Sequence, residues 1–261
     1  MLVTINENDW LYRSTGSLLI ERLSDFMKLK NLVPVTLEWA MQEEIFQYIG
    51  KYLDPETEMD SEQISGGPVT IESEYEEALA APYVVELAKK AEAEGCDGIF
   101  INCFGDPGVR ATRECVDIPV FGGFEPAVHI ALGLGDWIGI VTVLKNVMPL
   151  IRGNLAKAHL EGRVISVSSV DIPVADLESH EKLCTALIKE CIRVIEENGV
   201  EVIVLGCTGM IDVTETIKAK LFEKGYDIPV IEAASAALMM VELYAKMGLK
   251  QSRLTYMMPK K

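Results

Sequence analysis

The sequence holds only three histidines, and none of its six cysteines stands in a C-x-x-C pair. Zinc sites are built from Cys and His at short fixed spacings, so no metal is expected. Basic residues are also scarce, with 24 Lys and Arg against 40 Asp and Glu and a net charge of −16. Nucleic-acid binders neutralise phosphates with clustered Lys and Arg, so no nucleic acid is expected as partner. No apolar run reaches the roughly 18 to 20 residues of a membrane span, and the opening MLVTINEND lacks a basic stretch followed by an apolar one. No membrane association is therefore expected, and the chain reads as cytoplasmic. In that compartment six cysteines are expected as free thiols and not as a disulfide framework.

What is present is a matched pair. Cys103 closes the apolar run in GIFINCFGDPGV, and Cys207 closes the one in EVIVLGCTGM. EGCDGIFINC overlays on NGVEVIVLGC, with a glycine eight residues before the cysteine in both, and DIPVFGGFEPAV then echoes DIPVIEAASAAL. The repetition marks a duplicated unit. At 261 residues the chain has room for two cores of about 130 residues each. Hydrophobic residues at 49% and charged residues at 25% fit an ordinary globular protein.

Short apolar runs alternate with helical spacings along the chain. Strands are expected at 2–6, 34–38, 98–103, 119–122, 137–143, 163–170, 202–207 and 228–231. Helices are expected at 15–30, 73–94, from 107, 125–134, up to 161, 174–198, 210–224 and 233–247. Residues 40–72, with their acidic DPETEMDSE and turn-forming SGGP, are left as a lid or interface element, and with them a homo-oligomer is expected. This pattern implies an α/β fold of two pseudo-symmetric, doubly wound parallel-sheet halves with the site between them. The first half is expected over 1–135 with Cys103, and the second over 136–261 with Cys207, its C-terminal helix free to pack back on the first. Ligands in such sheets bind beyond the C-terminal strand ends, where both cysteines fall.

A thiolate at such a place takes a proton from carbon, and a thiol opposite delivers one. No cofactor is needed when the carbanion delocalises into a carbonyl and backbone N–H groups hold the enolate. Gly105, Gly206 and Gly209 let the backbone approach a small-molecule substrate. Cys184 and Cys191, seven apart on a helical face, are expected in the core, with Cys96 and Cys115 as packing residues. Asp106 either orients a loop or caps the helix after Pro107, with the cap favoured. Glu125 is placed equally at the cleft or away from it, Thr208 either binds ligand or caps, and His129 is expected at the surface.

NCFGDPGVRATRE and VLGCTGM, in this strand and helix order, resemble the aspartate/glutamate/hydantoin racemase superfamily, and most its hydantoin and allantoin branch. The resemblance implies that Cys103 and Cys207 are the two catalytic acid/base thiols. It places Asn6 after the first strand and, with Phe104, Gly105, Thr142, Thr208 and Gly209, at the substrate. Glutamate racemases carry aspartate and serine after the first strand and histidine soon after the second cysteine, which this chain lacks. The hydantoin branch reads Asn-Pro-Asn-Thr after the first strand and has paired threonines in the second half. Here Asn6 is followed by Glu7, Asn8 and Asp9, and Thr142 by Val143. The expectation is a cofactor-independent racemase or epimerase of a 5-substituted hydantoin or related amino acid derivative. The alternatives are a decarboxylase or cis/trans isomerase of the same superfamily, a non-catalytic small-molecule binder on this fold, or a thiol redox protein.

Overall fold

A computed structural model describes residues 26–36, 39–177 and 179–260. Eight described strands form two four-stranded sheets, every pairing parallel. The first is ordered β2-β1-β3-β4, from β1 (Met27–Val33), β2 (Thr57–Gln63), β3 (Gly98–Ile101) and β4 (Val120–Phe121). The second repeats that order as β6-β5-β7-β8, from β5 (Ile138–Thr142), β6 (Val164–Ser169), β7 (Val202–Leu205) and β8 (Val230–Glu232). Each sheet is covered by helices, and the central strands β3, β5 and β7 are buried along their whole length. Continuous apolar runs such as GIFI and VIVL are what two covered faces require.

The register makes the duplication concrete. Leu32 of β1 pairs with Ile101 of β3, and Val141 of β5 pairs with Leu205 of β7. One step on, Asn102 N–H donates to Leu32 O and Gly206 N–H to Val141 O, both at 2.8 Å. Each cysteine is the next residue. β1 is thus the counterpart of β5.

That overturns the expected helix over 15–30 in its described part, because residues 27–33 are a strand. The apolar spacing of Leu18, Leu19, Leu23, Phe26 and Met27 suggests a helix that the strand replaces from Met27 on. Lys30, 1% exposed, reaches Asp60 (2.5 Å) and Glu62 (3.1 Å) on β2, and so sits inside the sheet with its charge paired. β2 itself lies in the acidic stretch that had been left without structure, and α1 (Trp39–Gly50) precedes it. Strand formation is complete by Val33, and Pro34, which has no N–H to give, ends it, so residues 34–36 are not the strand expected over 34–38. The expected strand at 2–6 lies outside the described residues.

The remaining helices follow expectation with shifted ends. α2 (Glu74–Ala93) opens on a capping box in which Ser73 Oγ accepts Glu76 N–H while the Glu76 carboxylate accepts Glu72 N–H at 2.7 Å. α3 (Val109–Cys115) begins after Gly108 and not at Pro107. α4 (Phe124–Leu132) and α5 (Met148–Ala158) follow. α6 (His180–Asn198) is preceded at 174–176 by a separate 3-10 turn, so the long helix over 174–198 is interrupted. α7 (Thr214–Glu223) and α8 (Ala233–Lys246) complete the chain. Among the described residues no helix is long and apolar enough to cross a membrane.

Two helices are exchanged between the halves. Phe124, Ala127, Val128 and Ala131 of α4 join the core of the second sheet, with Ile140, Ile203 and Leu205. Ala234, Ala237, Leu238 and Val241 of α8 join Leu29, Phe100 and Phe121 of the first. The exchange welds the halves through apolar burial and fixes the angle at which their strand ends face each other. A close point in it is Gly98, where an added Cβ would stand 2.6 Å from Val241 Cγ1. Gly98→Ala is expected to lower stability by about 1 to 3 kcal/mol. Val241→Ala in the same chain should recover part of that loss, as a double-mutant cycle in urea unfolding would show.

Candidate active site

Cys103 and Cys207 face one cleft between the two sheets. Around them stand Val35 after β1, Gln42 and Ile45 of α1, Thr70 and Ile71 before α2, Val143 and Val147 after β5, Leu150 of α5, and Val174 of the 3-10 turn. The two cysteine loops supply Asn102, Phe104, Gly105, Gly206, Thr208 and Gly209. Of the expected ligand positions, Phe104, Gly105, Thr208 and Gly209 lie in this lining. Thr142 does not, because it is fully buried behind the wall and donates its hydroxyl to Gly206 O at 2.8 Å. Asn6 is outside the described residues, and of the residues that follow β1 it is Val35 that lines the cleft.

The loops are built alike. The sulfurs of Cys103 and Cys207 each lie 3.7 Å from where a Cβ would stand on Gly105 and Gly209 respectively. Gly105 N–H donates to Cys103, while Gly209 and Met210 N–H donate to Cys207. Burial acts the other way and pushes both thiols up, Cys207 to about 11 and Cys103 further. The proximity of Cys207, Asp106 and Glu77 adds to the rise at Cys103, and that of Glu72 at Cys207. Both sulfurs therefore hold their protons at neutral pH, with donors already aimed at the charge that deprotonation creates.

Gly123 is where the loops meet. Its N–H donates to Cys103 O at 3.0 Å, and a Cβ there would stand 2.8 Å from Thr208 Cγ2 and 3.2 Å from Cys103 O. Across the opening, Val174 N–H donates to Glu72 at 2.9 Å, tying the turn of the second half to the segment before α2.

Asp106 is a cap, as favoured, but of another helix. Its Oδ1 accepts Phe124 N–H at 2.9 Å, at the start of α4 and not of α3. Burial pushes its carboxyl up to about 8 against the pull of that N–H. Glu125 turns away from the thiols and pairs with buried Arg113 at 2.6 Å, in an outer polar hollow that also contains Tyr256 and the exposed His129. Cys191 is fully buried in the second core with Cys184 packed against it, and Cys96 is buried in the first. The apolar walls are silent in the sequence, because Val35, Val143, Leu150 and Val174 carry no signal beyond ordinary hydrophobicity. Asn102 adjoins Cys103 inside the very motif that was read.

Two parallel α/β halves, each with a cysteine beyond the C-terminal end of a central strand, define a protein of the racemase type. A model of the Asp/Glu/Hydantoin racemase family matches residues 39–241. A hydantoin racemase from a Pseudomonas species is 35% identical over 197 residues, covering 75% of this chain and 77% of that protein. The allantoin racemase from Klebsiella pneumoniae superposes with a TM-score of 0.82 at 32% identity, covering 90% of this chain and 94% of its own. That from Pseudomonas fluorescens does so with 0.83 at 27%, covering 90% and 98%. The chain belongs to the Asp/Glu/hydantoin racemase family, and its activity is of the isomerase class.

The order of the two thiols is testable. A raised pKa means each sulfur is protonated below it and reactive as thiolate above it. Iodoacetamide labelling is expected to climb with pH for Cys207 through about 11, with Cys103 trailing, as peptide mass spectrometry would read. Labelling of Cys103 first would contradict the electrostatics described.

Proposed function

We propose that the protein racemises a cyclic ureide, a 5-substituted hydantoin or an allantoin-like relative, with Cys103 and Cys207 as its acid/base pair and without a cofactor. The observation that carries this is the cleft itself, which has two thiols facing in and no charged side chain among the described residues lining it. The ionisable groups that the thiols feel nearby are acidic, namely Glu72, Glu77 and Asp106. A free amino acid would bring a carboxylate to a place with no described cation to receive it, and burial of an unpaired charge is costly. A neutral ring with an apolar substituent suits the valine, leucine and isoleucine walls.

In the reaction one sulfur, as thiolate, takes the proton from C5. The electron pair of that C–H bond moves into the adjacent C4 carbonyl and gives an enolate. The opposite thiol then returns a proton to the other face, the pair flows back to C5, and the first sulfur is left as thiol. Nothing is oxidised or reduced. The second proton enters from the thiol opposite, so inversion carries solvent hydrogen into the product. The N–H groups of Gly105, Gly209 and Met210, aimed at the sulfurs, hold whichever thiolate exists.

Proton NMR in D2O with 5-substituted hydantoins, allantoin, aspartate and glutamate tests this. The C5 proton signal of a hydantoin or allantoin should vanish while the amino acids keep theirs. Cys103→Ser and Cys207→Ser should each slow racemisation by roughly 100- to 10,000-fold, the usual cost of losing a general acid or base. Wild-type exchange rates in both variants would rule out the two-thiol mechanism, and exchange confined to amino acids would rule out the ureide.

A further inference from the structure

Asn102 ends the run that delivers Cys103 and lines the same cleft. It is 8% exposed, and its Oδ1 and Nδ2 are both buried with no hydrogen-bond partner among the described residues. Its backbone N–H is spent on Leu32 O, so the fold uses the main chain here and leaves the side-chain amide idle. The other polar side chains of the lining, Gln42, Thr70 and Thr208, are not orphaned in this way. In the second half the equivalent residue is Gly206, whose added Cβ would stand 2.8 Å from Ile140 Cγ2. The amide is therefore found on one side only.

Buried polar groups are paired in folded proteins, and an unpaired amide weakens the free protein unless something completes it. A side-chain amide offers one donor and one acceptor side by side. Its complement is an edge with a carbonyl next to an N–H, which a cyclic ureide has and a carboxylate lacks. We propose that Asn102 reads the substrate ring, with Nδ2 donating to a ring carbonyl and Oδ1 accepting the neighbouring ring N–H. This rests on the ureide reading above and adds to it the residue that selects the ring. Because Asn102 adjoins Cys103, the contact also sets the ring's place against that sulfur.

The test uses 5,5-dimethylhydantoin, which has the ring edge but no hydrogen at C5 and so reports binding apart from turnover. Calorimetry should show it binding wild type, with Asn102→Leu weakening it about tenfold or more, the loss of two neutral hydrogen bonds. Its 1,3-dimethyl derivative keeps the ring carbonyls but has no N–H for Oδ1 to accept, so it should distinguish the two proteins less than 5,5-dimethylhydantoin does, and an equal difference overturns the assignment. Without ligand, Asn102→Leu should melt at or above the wild-type temperature, because an orphaned amide is replaced by an apolar group of similar size. A lower melting temperature, or unchanged affinity for 5,5-dimethylhydantoin, overturns the assignment. If the leucine variant does not fold, Asn102→Ala, which removes the amide, should lose the same affinity, and full retention overturns the proposal. Binding through Asn102 without C5 exchange of any hydantoin in wild type would sink the racemase reading alone. Exchange that survives in Asn102→Leu with KM unchanged would sink the Asn102 assignment alone.

Discussion

The cleft depends on the absence of a side chain at Gly123. The N–H of this residue holds the carbonyl of Cys103, while the methyl of Thr208, the neighbour of the other cysteine, packs where a Cβ would have to go. Two strand ends on different sheets are brought to one point by that contact. It also opens α4, the helix that crosses into the second core. The spacing of the thiols and the exchange of helices are thus set by the same turn, and a shift there would move both. Catalysis by two groups on opposite faces of one carbon tolerates little such movement.

For the proposed proton transfer, electrostatics in the cleft oppose the resting thiols' ionisation and favour the charge once it forms. Burial keeps both sulfurs neutral, which raises the basicity of the thiolate when it forms. The backbone donors at Gly105, Gly209 and Met210 are in place beforehand, so no reorganisation is needed to receive the charge. Cys207 has two such donors where Cys103 has one, and it is spared the nearby Asp106 and Glu77. The two halves are alike in backbone and unequal in charge.

Much of this was legible in the sequence where the chain is buried on both faces. VIVL and GIFI have no other comfortable state than a central parallel strand, and the repeated glycine and cysteine spacing announced the duplication. The sequence misled where a strand carries charge. The helical spacing of Leu18, Leu19, Leu23, Phe26 and Met27 runs into β1, and nothing local corrects it, because the acids that neutralise Lys30 come from β2, about thirty residues away in an acidic segment. Such pairing is tertiary, and no local window contains it. Thr142 was misplaced for a similar reason, since only the second half's packing shows its hydroxyl turned to Gly206 O. Asn102 stands in plain view, but its side-chain amide has no hydrogen-bond partner among the described residues, which no local window shows.

The halves also solve one problem by different means. By register Gly122 follows β4 as Glu232 completes β8, since Val120 pairs with Ile99 and Val230 with Ile203. In the second half the Glu232 carboxylate fills this place, accepting from Asp212 N–H and from the Ser235 hydroxyl at the start of α8. In the first half the residue is glycine, and the Asp106 carboxylate enters from the cysteine loop, with Oδ1 only 2.1 Å from where a Cβ on Gly122 would stand. Each exchanged helix therefore begins against a buried carboxyl, and burial raises the pKa of both. The source of that group differs, however. In the second half it comes from the strand, whereas in the first it comes from the loop that carries the thiol, so there the seat of the crossing helix and the setting of Cys103 are one structure. In the proposed two-thiol reaction this inequality gives the sulfurs different surroundings on the two sides of one carbon.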